Sequence, residues 1–501
     1  MIFRDWLKEL DYTLLQGSVD VETEDVIYDS RKAAPGKVFV AMKGIRVDGH
    51  SFIPQVLKAG VRVLVTERPV EEELKNSGLS EEELKQVTVV MVEEGRHALA
   101  LLSAARFDHP AKKLVMIGVT GTKGKTTTTH MIRAILLAAG KKVGMIGTTG
   151  TVIGDVVTPT LNTTPESYEL HQAFAQMVEA GCEYAVMEVS SQGIKMHRTD
   201  GLYFNYVIFT NISPDHIGPG EHADFEEYLY YKTRLLNMCG IGLVNKDDKH
   251  APQIIKAANC ELYTYSEESK EADFVASDIR YVSQPDFVGT EFHISGKYDM
   301  EVRLGIPGLF NVVNALAAVS VCSFLGLDQA RISHALENIR VNGRMEIVYT
   351  SERCTVLVDY AHNAVSMESL LSTLRDYKPK RLVCVFGCGG NRSKDRRYSM
   401  GEIGGKMADL SIITADNSRY EKVEDIIADI RGSIEKTGGK FIEIPDRREA
   451  IRYSILHAQP GDMVAVIGKG HEDYQEINGV RHHFLDREVI EETVKELGEK
   501  A

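Results

Sequence analysis

The stretch GVTGTKGKTTTTHMIRAIL, residues 118–136, decides how the chain is read. An apolar run from Leu114 to Val119 leads into it, and the periodic apolar set Met131, Ile132, Ala134, Ile135 and Leu136 leads out, so the spacing predicts strand, turn, helix. Gly121 and Gly124 let backbone N–H groups approach phosphate oxygens, and the helix that follows presents its positive end. Lys125 is placed to bridge outer phosphates, and Thr126 puts a hydroxyl where phosphate loops ligate Mg²⁺. The common G-x-x-x-x-G-K-[ST] spacing is missed because position 119 is Val, which leaves the shorter G-T-K-G-K-T.

Around this loop, candidate strands KKVGMIG, YAVMEVS, YVIFTNI and IGLVN alternate with helical patterns, which predicts a parallel sheet covered by helices. A second series after Arg344, comprising CTVLVDYA, RLVCVFGCGG, LSIITADN and MVAVIGKG, predicts a separate nucleotide-fold-like domain. The first hundred residues, with KVFVAMKG and VRVLVTE flanking a helical SFIPQVLKAG, read as a small α/β module, and EEELKNSGLSEEELKQ as a solvated helix or loop. The expected division is 1–98, 99–338 and 339–501. A chain of 501 residues supports two to four domains of about 100–200 residues each.

Composition narrows the partners. Fifty-eight Lys and Arg against 72 Asp and Glu give a formal charge of −14, which disfavours nonspecific attraction to nucleic acid or an anionic membrane. The N-terminal MIFRDWLKELDY is charged throughout, and no apolar run reaches the ~18 residues of a membrane span, so a cytoplasmic location is expected. Seven scattered cysteines suit reduced thiols, and Cys384 with Cys388 suits strand-end packing rather than zinc.

A phosphate loop alone leaves kinase, GTPase, motor and ligase open. Glu188 at the end of YAVMEVS can place a carboxylate near a loop-bound metal, His216 follows the strand YVIFTNI, and Lys232 sits on the next helix. Taken together, Gly121 to Thr126, Glu188 to Ser191, Thr210 with Asn211, Asp215 with His216, and Lys232 resemble, in order, the motifs of the Mur ligases. GLFNVVNALAA around Asn314, VNGRME around Arg344, VDYAHNA around Asp359, FGCGGNRSKDRR, DNSR and GKGHE extend the resemblance downstream, and YDSRKAAPGKVFVAMKG extends it upstream.

The resemblance implies a three-domain α/β architecture: an N-terminal module for a UDP-linked substrate, a central P-loop ATPase sheet, and a Rossmann-like C-terminal domain. It implies an ATP- and Mg²⁺-dependent amide ligase of peptidoglycan synthesis, acting in cell wall biogenesis and so in cell shape and division. Such an enzyme phosphorylates the carboxylate of UDP-MurNAc-L-Ala-D-Glu and passes the acyl group to a diamino acid. A monomer without nucleic-acid or membrane partners is expected. Phosphoryl transfer of this kind asks for positioning, metal and cations rather than a protein nucleophile.

Residue by residue, the resemblance assigns ATP to Gly121, Thr122, Lys123, Gly124, Lys125, Thr126, Thr127, Asn314, Arg344 and Asp359. It assigns metal binding to Thr126, Glu188, His216 and a carbamylated Lys232, with Lys125 also in the catalytic set. The UDP substrate falls to Ser30, Thr163, Thr164, Ser190 and Arg198. The amino acid falls to Arg392, Asp416, Asn417, Ser418, Arg419, Gly468 and Glu472. Arg419 argues for meso-diaminopimelate, because a guanidinium fork can pair with the distal carboxylate that lysine lacks.

Departures from the family pattern are Lys123 for Asn, Gln192 for His, Met196 for Gln, DNSR for DNPR and DYAHNA for DYAHTP. Ser418 lacks the fixed φ of proline, so a looser aim for Arg419 is expected. The competing readings are the same reaction with L-lysine, a folylpolyglutamate-synthase-like or cyanophycin-synthetase-like ligase, and, in another class, a non-catalytic ATP-binding regulatory module.

Overall fold

Near the start of the chain, short apolar runs become a five-stranded sheet of β1 (Thr13–Gln16), β2 (Asp25–Ile27), β3 (Lys37–Val40), β4 (Val63–Thr66) and β5 (Thr88–Met91), in the order β1-β5-β4-β3-β2. The computed structural model describes residues 1–44 and 47–498 and divides into two units, Met1–Tyr265 and the chain from Ser266 onward. β2 to β5 pair in parallel, and β1 closes one edge antiparallel to β5. All four residues of β4 are buried, as a parallel strand covered on both faces requires. One face packs on Ala98, Leu99, Leu101 and Leu102 of helix Gly95–Arg106, and the other on Ile53, Val56 and Leu57 of helix Ile53–Lys58. The acidic stretch forms two short helices, Glu71–Lys75 and Glu81–Leu84, the second opened by a reciprocal Ser80–Glu83 capping box.

The same unit holds a second sheet of β6 (Val115–Thr120), β7 (Val143–Gly147), β8 (Gly150–Ile153), β9 (Val156–Thr158), β10 (Tyr184–Glu188), β11 (Phe204–Phe209), β12 (Cys239–Asn245) and β13 (Glu261–Ser266). Their order is β13-β12-β11-β6-β10-β7-β8-β9, parallel from β13 to β7, with β8 and β9 as an antiparallel excursion. β6 lies between β10 and β11, with Glu188 opposite Val119 and Phe209 opposite Thr120. The residues after all three strands therefore emerge together at a topological switch point, where open parallel sheets collect ligands. Phe174 and Met177 of helix Ser167–Glu179 are fully buried in a core with Met116, Met187 and Phe204, each worth about 1.5–3 kcal/mol of transfer free energy.

The second unit begins with β14 (Phe274–Gln284), β15 (Phe287–Gly296) and β16 (Met300–Leu304), an antiparallel meander that the alternating βα reading of the sequence did not anticipate. Helix Leu309–Phe324 packs against β14 and β15. β17 (Glu346–Thr350), β18 (Cys354–Asp359), β19 (Arg381–Phe386), β20 (Leu410–Ile413), β21 (Phe441–Glu443) and β22 (Asp462–Ile467) then form a sheet in the order β17-β18-β22-β19-β20-β21. It is parallel except for β17. The polar ends of β18, β19, β20 and β22 thus face one way. A hairpin of β23 (Tyr474–Ile477) and β24 (Val480–His483) follows β22. Among the described residues, no helix is long and apolar enough to cross a membrane.

Candidate functional site

In the first unit, the phosphate loop connects β6 to helix Lys125–Ala138, with Gly121 at φ +143° and Gly124 at φ +85°. A Cβ on Gly121 would run into Thr210 Oγ1, so this turn admits only glycine. The loop is braced by the chain leaving β11. Thr122 N–H donates to Asn211 O (2.9 Å), Lys123 N–H to Asn211 Oδ1 (2.9 Å), and Thr210 Oγ1 to Lys123 O (2.6 Å). Lys125 Nζ curls back to donate to Gly121 O (2.9 Å) and Thr122 O (3.1 Å), so its charge stands over the loop's own carbonyls.

Glu188, 1% exposed at the end of β10, meets the first turn of that helix. Thr126 Oγ1 lies 3.0 and 3.1 Å from its two carboxylate oxygens, and Thr148 donates its N–H (2.9 Å) and hydroxyl (3.2 Å) to them. A threonine hydroxyl and a carboxylate brought together beside a phosphate loop form the all-oxygen donor set that Mg²⁺ takes, so these residues fit that ion.

Lys232 is 2% exposed on helix Phe225–Arg234, with Nζ 2.7 Å from Gly121 O and 4.8 Å from the centre of the Tyr228 ring. Burial, reinforced by the charge of Lys125, holds its pKa well below the ordinary lysine value. Lowering the pKa favours the neutral amine, the form that takes up CO₂, which is the chemistry that the carbamylation implied by the resemblance would need. Tyr228, whose own pKa burial pushes up to about 12, hydrogen-bonds through its hydroxyl to Thr122 Oγ1 (3.1 Å). His216 is placed differently from Thr126, Glu188 and Lys232. It is exposed, at φ +54°, and its Nδ1 lies 3.1 Å from Glu221.

The expected UDP-substrate residues are mostly engaged internally. Thr163 and Thr148 hydroxyls lie 3.1 Å apart; Thr164 donates to Glu188 O (3.0 Å) and accepts from Ser190 N–H (3.0 Å); and Ser190 caps helix Ser191–Lys195 by accepting from Gly193 N–H. Arg198 pairs with Glu166 (2.7 Å) and donates to Thr164 O (3.0 Å). Ser30 begins the short helix Ser30–Lys32, which Asp29 caps. Thr127 is buried on the first turn after the loop.

In the second unit, Asp359 ends β18 and accepts from Met345 N–H (2.7 Å) and Ala361 N–H (2.8 Å). Burial raises its pKa against those hydrogen bonds and the nearby Arg344, whose guanidinium stacks 4.8 Å over Tyr360. Asn314 is buried on helix Leu309–Phe324 beside Asn311.

Beyond the ends of β18, β19, β20 and β22 lies a cleft of about 320 Å³ lined by Arg392, Asp416, Asn417, Arg419, Gly468 and Glu472, six of the seven residues expected for the amino acid. Ser418, the seventh, is buried and does not line the cleft. Asn417 Nδ2 donates to Glu472 (2.9 Å), and a Cβ on Gly468 would approach Asp416 Oδ2 to 2.7 Å. The expected looseness of Arg419 is not found. Its backbone is fixed at φ +53° by a bridge to the β23 hairpin, with Arg419 N–H to Glu476 O (3.0 Å) and Asn478 N–H to Arg419 O (2.6 Å), and its guanidinium donates to Gly390 O (2.7 Å). The hairpin does what the absent proline would have done.

Sequence reasoning missed Arg396 and His362, which line the same cleft, and Lys469, fully buried with Nζ 3.4 Å from both Asn417 Oδ1 and Glu472. Lys469 lay in plain view inside GKGHE, but nothing in its neighbours announces burial.

A phosphate loop braced by the strand beside it, a strand-end glutamate, a buried lysine and a charged cleft at the ends of β18, β19, β20 and β22 define the class: the chain belongs to the Mur ligase family, ATP-dependent enzymes that form amide bonds. Residues 23–107 match the family's catalytic domain, 119–322 its middle domain and 343–470 its glutamate ligase domain. The UDP-N-acetylmuramoyl-L-alanyl-D-glutamate–2,6-diaminopimelate ligase of Caldanaerobacter subterraneus subsp. tengcongensis is 39% identical over 98% of both chains, and that of Clostridium perfringens is 37% identical over 98% of this chain and 99% of its own. A solved structure of a ligase with the same name aligns with TM-score 0.73 at 30% identity, covering 95% of this chain and 96% of the other.

Proposed function

We propose that the chain joins meso-diaminopimelate to UDP-N-acetylmuramoyl-L-alanyl-D-glutamate at the expense of ATP, in the cytoplasmic stage of peptidoglycan synthesis, and that it works as a monomer of three domains, 1–98, 99–338 and 339–501. The observation that carries the choice of amino acid is the cleft in which Arg392, Arg396 and Arg419 face Asp416 and Glu472. Diaminopimelate has two carboxylates and two ammonium groups. Three guanidiniums with two carboxylates match that pattern better than they match lysine, whose distal end carries only an ammonium.

The protein's part in the chemistry is positioning. The loop N–H groups of Gly121 to Thr126 and the helix end behind them hold the phosphates of ATP, and Lys125 exchanges its loop carbonyls for the outer phosphates. Thr126 and Glu188 would hold Mg²⁺, with Lys232 as a carbamate and with His216 once it leaves Glu221, and the ion would supply neutralisation of charge for phosphoryl transfer. Asn314, Arg344 and Asp359 contact the nucleotide, while Ser30, Thr163, Thr164, Ser190 and Arg198 form the UDP-substrate side.

The terminal phosphoryl group passes to a substrate carboxylate oxygen and ADP leaves. The amine of diaminopimelate then attacks the acyl carbon, loses a proton, and phosphate departs. Glu472, tied to Asn417 and Lys469, orients an ammonium of the incoming amino acid, and Arg419 fixes its distal carboxylate.

The test is phosphate release from ATP with the UDP-dipeptide, meso-diaminopimelate and L-lysine being compared side by side. Release with diaminopimelate alone supports the reading. Preference for lysine would overturn the role given to Arg419, and release with neither would overturn the ligase assignment for this substrate.

A further inference from the structure

Away from the phosphate loop, the first unit brings two histidines onto one carboxylate. His97 Nδ1 lies 2.6 Å and His197 Nδ1 2.8 Å from the same oxygen, Oδ2 of Asp200, and the three donor atoms all fall within 4.8 Å of one another. The two rings stand at 77° with centroids 6.3 Å apart, so they converge edge-on toward a common point rather than stacking.

We propose that His97, His197 and Asp200 bind one divalent transition-metal ion, of the Zn²⁺ class, at a site separate from the catalytic Mg²⁺ position. Two imidazole nitrogens and a carboxylate oxygen are a borderline donor set that selects Zn²⁺ over the hard cations, and three protein ligands leave a fourth position for water. The exchange is simple in protons. Each ring now directs an N–H at Asp200; with metal bound, each neutral imidazole carries its proton on Nε2 and turns the Nδ1 lone pair to the ion.

The surroundings favour a cation. Arg96 and Arg198, the sequence neighbours of the two histidines, both turn onto Glu166, at 3.2 and 2.7 Å, which offsets one of their two positive charges. Glu94 and Asp11 add negative potential at His97. The side chains of His97, His197 and Asp200 are 44%, 31% and 17% exposed, open enough for an ion to enter and for water to complete its shell. His97 lies on helix Gly95–Arg106, which supports the first sheet, and His197 and Asp200 lie in the turn that carries Arg198. An ion there cross-links elements a hundred residues apart in sequence and acts as a structural staple.

The test uses the full chain with Mg²⁺ in excess, so that the hard-cation position stays filled. Zn²⁺ is titrated by calorimetry, Co²⁺ by visible absorption, and the unfolding temperature is followed with each. The expected result is one ion per chain, a raised unfolding temperature and tetrahedral Co²⁺ bands. All three should be lost in His97→Gln while turnover of that variant stays at the wild-type level. His197→Gln should lose the bands as well. X-ray absorption of the bound Zn²⁺ should show nitrogen and oxygen ligands without sulfur. Absence of stoichiometric binding in the wild type, binding that survives both substitutions, or sulfur at the ion would overturn the proposal.

Discussion

Arg447 and Asp486 form a forked ion pair, both N–H···O distances 2.7 Å, with neither side chain exposed to solvent. The remaining donors of Arg447 reach Ala415 O (3.2 Å) and Ile467 O (3.0 Å), the carbonyls immediately before Asp416 and Gly468. One buried guanidinium thus ties together the ends of β20 and β22 that carry the amino-acid cleft. Arg447→Met should lower stability by about 3–5 kcal/mol, because it leaves Asp486 buried and unpaired. The double variant Arg447→Met/Asp486→Leu should recover most of that loss in denaturant unfolding, yet keep a raised KM for the diamino acid, since the two carbonyls lose their common donor.

Arg419→Ala should cut kcat/KM for diaminopimelate by about 10- to 100-fold, the scale of a lost charge-assisted pair, with much less change in the binding of ATP. Steady-state kinetics with each substrate varied in turn would check this. Equal turnover of diaminopimelate by variant and wild type would remove the arginine from the specificity argument.

Lys232→Met preserves length and apolarity in a buried position, so folding should survive while activity falls at least about 100-fold. Stripping CO₂ from the buffer should slow the wild type, and bicarbonate should restore it. A carbamate carbon signal in ¹³C NMR after labelling with ¹³CO₂, absent from Lys232→Met, would tie the effect to this residue.

His171, buried on helix Ser167–Glu179, has no hydrogen-bond partner for either ring nitrogen among the described residues, and burial lowers its pKa from 6.5 to about 3. The folded state therefore refuses a proton that the unfolded chain accepts. As pH falls below 6.5, this residue alone removes about 1.4 kcal/mol of stability per pH unit, until the folded pKa is reached. His171→Leu should flatten the acid side of the stability profile. An unchanged slope in thermal unfolding at mildly acid pH would show that other groups dominate it.

Two glycines should respond in opposite directions. Gly121→Ala places a methyl group against Thr210 Oγ1 at a backbone angle of +143° and should abolish nucleotide binding. Gly432 sits inside helix Val423–Thr437 with nothing within 4 Å of an added Cβ, so Gly432→Ala should stabilise by about 0.5–1 kcal/mol.

The sequence made the parallel strands legible because each apolar run ends in a chemically telling residue: Thr120 before the loop, Glu188, Asp359, Asp416, Gly468. It made the amino-acid cleft legible through DNSR and GKGHE. It did not reveal β14–β16, because a half-solvated meander such as FVASDIRYVSQ mixes apolar and polar residues without the clean runs that mark buried strands. Nor could spacing reveal that Lys469 is buried beside Glu472, or that Arg447 finds Asp486. Partners 39 residues apart meet only once the sheet exists. The fixed aim of Arg419 escaped for a similar reason, since it depends on a hairpin more than fifty residues downstream.

β22, residues 462–467, is the last strand of its sheet to be synthesised, yet it fills the gap between β18 and β19. Until the ribosome has made it, those two strands have no shared neighbour, and their inner edges are open to pairing with other chains. The order of strands therefore sets a timetable: this sheet must wait, shielded or unpaired, until residues 462–467 have been translated, and a product terminated before them would carry two adhesive edges in place of a finished sheet.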